Sequence, residues 1–289
     1  MYLKNMTKDD IKSHIHDIYG VEISANAINQ ITNNILKLLE PAKKWQNRPL
    51  KNIYAVVFMD VIRYFLKEDE NLAEKSVYIA TGIDLNGIRD VLGIWVCDNE
   101  RANFLNVIQK IKARGVDDIL ITCVDNLKEF TNEIKVVYPK TETQHIVHHV
   151  YTGTKPVSPE DNRALMYDLQ SVYDAPGEQL ALSALDEFYR KWKEKHPRID
   201  ISRRDVQASF SNYFKYPKEI RDLLYNISSI KEFSRRFRKI KNKDNFPTDD
   251  SLFNILYLVM TNITQKWTDG YKGWEQIYPQ LESIFPDRL

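Results

Sequence analysis

The apolar positions run first at helical spacing, then in short unbroken blocks, and then at helical spacing again. Ile11, Ile15 and Ile18 fall on one face of a helix that Thr7 can cap, with Asp10 three residues on. Gly20 breaks the pattern, and Ser24 can cap a second helix carrying Ile28, Ile31, Ile35 and Leu38. Helix, glycine turn, helix is the skeleton of a helix-turn-helix, though many helix hairpins share it without touching DNA. The second helix, "SANAINQITNN", is polar and uncharged, and Asn29 and Gln30 are its candidates for reading base edges. The proline-bounded "PAKKWQNRPL" (41–50) then marks a boundary.

The blocks that follow are rich in β-branched and aromatic residues and predict strands. They are "IYAVVFMD" (53–60), "KSVYIATGID", "IRDVLGIWVC", "DDILITCVD" (117–125) and a stretch near "TQHIVHHV". Asn86-Gly87 predicts a hairpin between the second and third, because both residues tolerate positive φ. Helices are expected over 100–113, ended by Gly115, and over "KEFTNEIKVVYP". The order is strand, two hairpin strands, helix, strand, helix, strand. It predicts an α/β protein with a mixed sheet and helices on its faces. From 155 to 215 the pattern is helical, with Leu182, Leu185, Phe188, Tyr189 and Trp192 on one stripe. In "SLFNILYLVMTNITQKW" the stripe is Leu252, Ile255, Leu256, Val259 and Ile263.

Composition narrows the setting. No apolar run approaches the roughly 20 residues that cross a bilayer, and "MYLKNMTKDD" lacks a secretory apolar stretch. The only two cysteines, Cys97 and Cys123, lie in separate apolar strands and read as buried hydrophobes of a cytoplasmic protein. The net charge of +1 hides a stripe: residues 215–243 hold ten Lys/Arg against Glu219, Asp222 and Glu232. Such segregation suggests a polyanion partner, with a solvated helix face as the plainer alternative.

Asp60 and Asp125 each end a predicted strand. Side by side, two such carboxylates repel unless a cation lies between them, and Mg²⁺ suits carboxylate oxygen. From spacing alone each Asp equally well ends its strand or caps the next helix. A third carboxylate from a later, basic helix shifts the balance, because the set then resembles the arrangement of the ribonuclease-H-like fold. There, paired ions about 3.5–4 Å apart assist phosphodiester cleavage.

"WQNRPL", "YAVVFMDVIRY", "VYIATGIDLNGIRDVLGIWV", "GVDDILITCVDNLKEF", "YPKEIRDLLYN" and "FPDRL" together resemble the mutator-type transposases of bacterial insertion sequences. The resemblance implies a ribonuclease-H-like core with an α-helical insertion and a short helix-turn-helix-like N-terminal segment. It divides the chain into 1–45 (remnant of a DNA-binding region), 46–154 (first part of the core), 155–217 (insertion) and 218–289 (helices completing the core). Family members carry more sequence in front, so the resemblance also implies an N-terminally truncated copy. The implied activity is cutting and joining of DNA at insertion-sequence ends, with Mg²⁺ (or Mn²⁺) on Asp60 and Asp125. Implied partners are DNA and a homodimer or an intact transposase, in the bacterial cytoplasm at the nucleoid.

The family's C-x-x-H element corresponds to "HIVH", making His145 and His148 packing residues; a structural zinc wants four ligands, and the cysteines lie elsewhere. The family's third acid sits in N-A-I-E, which reads "SSIK" here, so Lys231 occupies the expected position and Glu232 follows. One residue is about 100° of helix rotation, so Glu232 is a third ligand only through a bulge or shift of register. Otherwise it is an i,i+4 partner for Arg236. Asn126, Tyr151, Arg203 and Gln207 also depart from the family pattern. Arg235, Arg236, Arg238, Lys239 and Lys241 are candidate phosphate contacts in either case. The readings are thus an active transposase, a non-catalytic DNA-binding or transposase-interacting relative, or a folded domain with neither role.

Overall fold

The first four predicted apolar blocks are strands in the computed structural model, and of the stretch near "TQHIVHHV" residues 143–145 lie in a strand while 146–150 are outside the described residues. The structure describes residues 40–68, 71–98, 100–124, 127–145, 158–195, 210, 212–225, 232–233, 235–237 and 248–289. The strands are β1 (Ile53–Glu68), β2 (Asn71–Asp84), β3 (Arg89–Cys97), β4 (Asp118–Val124) and β5 (Glu142–His145). They form one sheet in the order β3-β2-β1-β4-β5. β1–β2 and β2–β3 pair antiparallel, whereas β1–β4 and β4–β5 pair parallel. The mixed sheet expected from the element order is therefore present. Central strands covered on both faces have no polar side to show, which is why they read as unbroken apolar runs.

Two helices between strands, α1 (Glu100–Ala113) and α2 (Leu127–Val137), supply one covering layer. Phe104, Ile108, Phe130 and Ile134 pack there with Val57 and Met59 of β1, and the Phe104 and Phe130 rings stack at 4.0 Å. Intervening strand residues serve two further clusters. One joins Val56 and Phe58 to α3 (Pro159–Tyr173), α4 (Glu178–Lys195), α5 (Lys218–Tyr225) and α7 (Trp274–Ile284). The other joins Ile62 and Tyr64 to Phe233, Phe237 and α6 (Asp249–Thr264). The α4 stripe buries Ala181, Leu185, Phe188 and Trp192, with Leu182 and Tyr189 partly buried at its margin. On α6, Met260 joins Leu252, Leu256 and Ile263 in the core, and Ile255 and Val259 are flanking.

β1 does not end at Asp60, as its apolar block suggested, but continues to Glu68. Beyond Asp60 it pairs with β2 as far as Glu68↔Asn71, and Ile62 and Tyr64 alternate inward while Arg63 and Phe65 are exposed. The parallel β4 partner stops at Met59↔Val124. The acid therefore marks where the β4 ladder stops, and the strand runs on.

At the β2–β3 turn, Asp84 Oδ1 accepts from the N–H groups of Asn86 and Ile88 at 2.9 Å each. Gly87 has φ 76°, and a Cβ there would lie 2.5 Å from the Trp274 ring. Trp274 Nε1 donates to Leu85 O at 3.0 Å, so the start of α7 clasps the hairpin. The 41–50 stretch packs along the edge strand β3. Gln46 Oε1 accepts from Ile94 N (3.1 Å), and Arg48 Nη2 donates to Val91 O (2.8 Å) and to Asp90. Covering exposed strand edges in this way prevents chain-to-chain pairing.

The C-terminal "FPDRL" is fastened by Arg288. Its guanidinium donates to both Asp118 oxygens (2.7 and 2.8 Å), Ile119 O and Lys140 O (2.8 Å each). Burial pushes the Asp118 carboxyl up, but hydrogen bonds and charge from Arg288 outweigh it and hold the pKa below the usual value. A depressed carboxyl stabilises the fold above its unfolded pKa and loses that contribution as pH falls through its folded pKa. Arg288→Ala is expected to destabilise by about 1–3 kcal/mol at neutral pH, at the lower end because the pair is partly solvated. Urea melts should show the gap between the two proteins narrowing as pH falls through the depressed Asp118 pKa.

Candidate metal and nucleic-acid site

Asp60 is fully buried in the middle of β1. It follows Met59, the last β1 residue paired with β4, and the residue after Met59's partner Val124 is Asp125. Asp125 itself lies outside the described residues, as do Lys231, Arg238, Lys239, Lys241, His148 and the helix-turn-helix candidates Asn29 and Gln30. His145 closes β5, paired with Val124, and its side chain is outside the description. A carboxylate removed from water stays charged only with hydrogen bonds or a cation beside it. Val61 N donates to Asp60 Oδ1 at 2.8 Å. A hard divalent cation suits such a buried oxygen donor, and Asp60 fits that role. Among the described residues no group of three or more His, Cys, Asp or Glu forms a metal cluster.

Alternation along β1 puts residue 60 on the same face as Phe58, Ile62 and Tyr64. The helical residues 232–233 and 235–237 dock on that side of the sheet. Phe233 and Phe237 are fully buried in the cluster that holds Ile62, Tyr64 and α6. Tyr64 Oη donates to Phe237 O at 2.8 Å in a buried bond, and the Phe233 ring meets Trp267 edge-on at 5.7 Å. Strand β1 thus carries Asp60 and anchors the helix of Glu232. Tyr64 was no candidate in the sequence. The signal for the docking is the Phe233–Phe237 pair, four residues apart among the bases.

Glu232 Oε1 lies 3.0 Å from Arg236 Nη2, and both side chains are about one-third exposed, at 28% and 33%. Arg236 Nη1 also donates to Asn262 Oδ1 of α6 at 3.3 Å. Arg235, by contrast, is exposed. The basic stripe is therefore not one free face. Lys215 pairs with Glu142, and Lys218 pairs with Asp222 at 2.7 Å. Arg221 is buried, donating to Ala175 O at 2.9 Å and lying 4.8 Å from the Phe214 ring. Charge counting missed the partners of Lys215 and Arg221 because they come from β5 and from the turn after α3. Both cysteines are free; Cys123 is buried as expected, whereas Cys97 at the end of β3 is only half-buried, and burial raises the thiol pKa of each.

Comparison with known proteins gives a consistent result. A family model described as "Transposase, Mutator family" matches residues 1–270. The whole chain is 33% identical over 293 residues to a Sinorhizobium fredii protein described as "Probable transposase for insertion sequence element ISRM3-like", covering 72% of it. Identity is 32% over 293 residues to the transposase for insertion sequence element ISRM3 of Rhizobium meliloti, again with the whole chain matched and 72% of that protein covered. A Corynebacterium diphtheriae protein, "Probable transposase for insertion sequence element", is 32% identical over 312 residues, with all of this chain and 90% of that protein covered.

Proposed function

The chain belongs to the Mutator family of transposases, and on that premise we propose that it cleaves and joins DNA strands at insertion-sequence ends, using Mg²⁺ or Mn²⁺ on Asp60 and Asp125. The observation that carries the reading is a fully buried Asp60 one residue beyond the last β1–β4 pair, on the sheet face where the Glu232 helix docks. The mixed sheet with α1 and α2 on one side and α3–α7 on the other supports a ribonuclease-H-like core. On this division 1–45 is a DNA-binding segment, 155–217 the insertion, and 46–154 with 218–289 the core. The protein works in the cytoplasm, at the nucleoid.

When bound, the metal supplies Lewis-acid polarisation of the scissile phosphodiester and lowers the pKa of the attacking water or 3′-hydroxyl. The chain's own part is to hold the ion with Asp60, fixed in β1, together with Asp125, and to grip the backbone. Exposed Arg235 is placed to meet a phosphate, and each such contact releases condensed counterions.

A second reading rests on Glu232. Its carboxylate is engaged by Arg236, and Lys231 stands where the family has its acid, so the chain binds DNA without cutting it. Mg²⁺-dependent cleavage of an end-containing duplex by this chain and by Lys231→Glu decides between them. Cutting by the unmodified chain supports the active enzyme, and cutting by the variant alone supports the silent one. DNA affinity that does not weaken with salt removes both.

A further inference from the structure

We propose that the exposed crest where the last turns of α6 meet the helix of Glu232 is a track for a DNA backbone, with Arg235, Arg236 and Lys266 meeting its phosphates and Asn262 setting the Arg236 guanidinium. This rests on the DNA reading above, independently of the metal, and extends the interface to α6.

Two contacts lay the helices side by side. The Phe233 ring meets Trp267 edge-on at 5.7 Å, and Arg236 Nη1 donates to Asn262 Oδ1 at 3.3 Å. Positions rising along one helix therefore meet positions falling along the other, and Arg236 and Lys266 border one seam. Lys266 follows Asn262 at helical spacing, on the same side. The chain is still coiled there: Gln265 N donates to Thr261 O at 3.1 Å and Lys266 N to Ile263 O at 3.2 Å. Lys266 and Arg235 are exposed, and neither has an ion-pair partner among the described residues. Glu232 is the carboxylate at this seam, whereas the α6 acids Asp249 and Asp250 lie in its first turn, at the other end. A segregated set of exposed cations suits a polyanion.

Arg236 is prepared for such a ligand. Its Nη2 lies 3.0 Å from Glu232 Oε1 and its Nη1 is held by Asn262, while further N–H donors of the guanidinium stay open to a phosphate. A side chain set in advance loses less freedom on binding. Asn262 does this with a neutral oxygen, which adds no repulsion toward an approaching phosphate. Asn262 is thus a positioning residue, and Lys266 a direct contact. The plainer role of Lys266, a cation at the C-terminal end of a helix, stabilises the fold and leaves DNA affinity alone.

Salt titrations of binding to two duplexes of unrelated sequence, in EDTA, test the track. Lys266→Gln is expected to weaken binding to both alike and to reduce the slope of log K against log salt by about one. Arg235→Gln should do the same. Lys51→Gln, exposed just before β1 at the end away from Ile62 and Tyr64, should change neither affinity nor slope. Asn262→Ala should lower affinity about threefold, the worth of one hydrogen bond, at unchanged slope because no cation is lost. In an Arg236→Gln background it should do nothing. No loss, or an equal loss in both backgrounds, overturns the positioning. Salt-dependent binding that Lys266→Gln leaves as it was overturns the track alone. If the unmodified protein binds neither duplex at low salt, the DNA reading fails and the track with it. A Lys266→Gln protein that melts lower but binds as before has lost a helix-end charge, which also overturns the contact.

Discussion

Asp60→Asn is expected to lower metal-dependent cleavage of end-containing DNA about a thousandfold, in whichever of the unmodified chain and Lys231→Glu cuts, with the fold intact. The amide is isosteric and keeps an oxygen for the Val61 N–H, so the fully buried position is not overpacked. What disappears is the negative charge that retains a divalent cation. Losing about 4 kcal/mol of transition-state charge stabilisation is about three orders of magnitude in rate. A thermal melt supplies the readout that does not need activity. Ligand at about 100 times its Kd stabilises the native state by about 2.7 kcal/mol. At about 2–4 °C per kcal/mol for a chain of this order, Mn²⁺ should raise the melting temperature of the unmodified protein by several degrees. The Asp60→Asn melt should not move. A variant that still gains stability from Mn²⁺ would remove Asp60 from the site.

The sheet was legible because its strands are buried on both faces and interrupted by strong turn residues. Asn86-Gly87 and Gly115 punctuate the sequence where the chain turns, and both glycines adopt positive φ. The end of β1 was not legible in the same way. "VIRYFLKE" mixes charges with apolar residues, and its period-two alternation is masked by the continuous block before it. Asp60 looked like a terminator because an acid inside a buried strand is costly unless something compensates it. Beyond Asp60 the inward side chains Ile62 and Tyr64 are covered by Phe233 and Phe237, about 170 residues later, and no local pattern encodes that contact. The basic stripe misled for a related reason. Arg221 and Lys215 are neighbours of Arg235 in sequence, but their partners Ala175 and Glu142 belong to other layers. Charge counts along a chain add residues that the fold distributes among different environments. The i,i+4 relation of Glu232 and Arg236 needs only helical geometry, so it could be read directly, and the pair is present at 3.0 Å.

Phe237→Ala is expected to be the most destabilising single change near the site, at about 3–5 kcal/mol, whereas Phe237→Leu should cost less. The ring is fully buried among Ile62, Tyr64, Leu252 and Leu256, and 5.8 Å from Phe233, so truncation leaves a cavity bounded by three separate elements. Strand β1 and helix α6 cannot close that space without moving the sheet. Among its described residues the helix has one further polar tie to the rest of the protein, the Arg236–Asn262 bond. Its outward residues are the solvated Glu232–Arg236 pair and exposed Arg235, and the Tyr64 bond reaches only one carbonyl. The loss should therefore appear first as local release. Limited trypsin digestion should cut after Arg235 and Arg236 faster in Phe237→Ala than in the unmodified chain, before global unfolding by urea. On the metal reading, locally released protein should still bind Mn²⁺ through Asp60. Uniform loss of all binding would instead mean that β1 and the helix form one cooperative unit, with no local opening below the global transition.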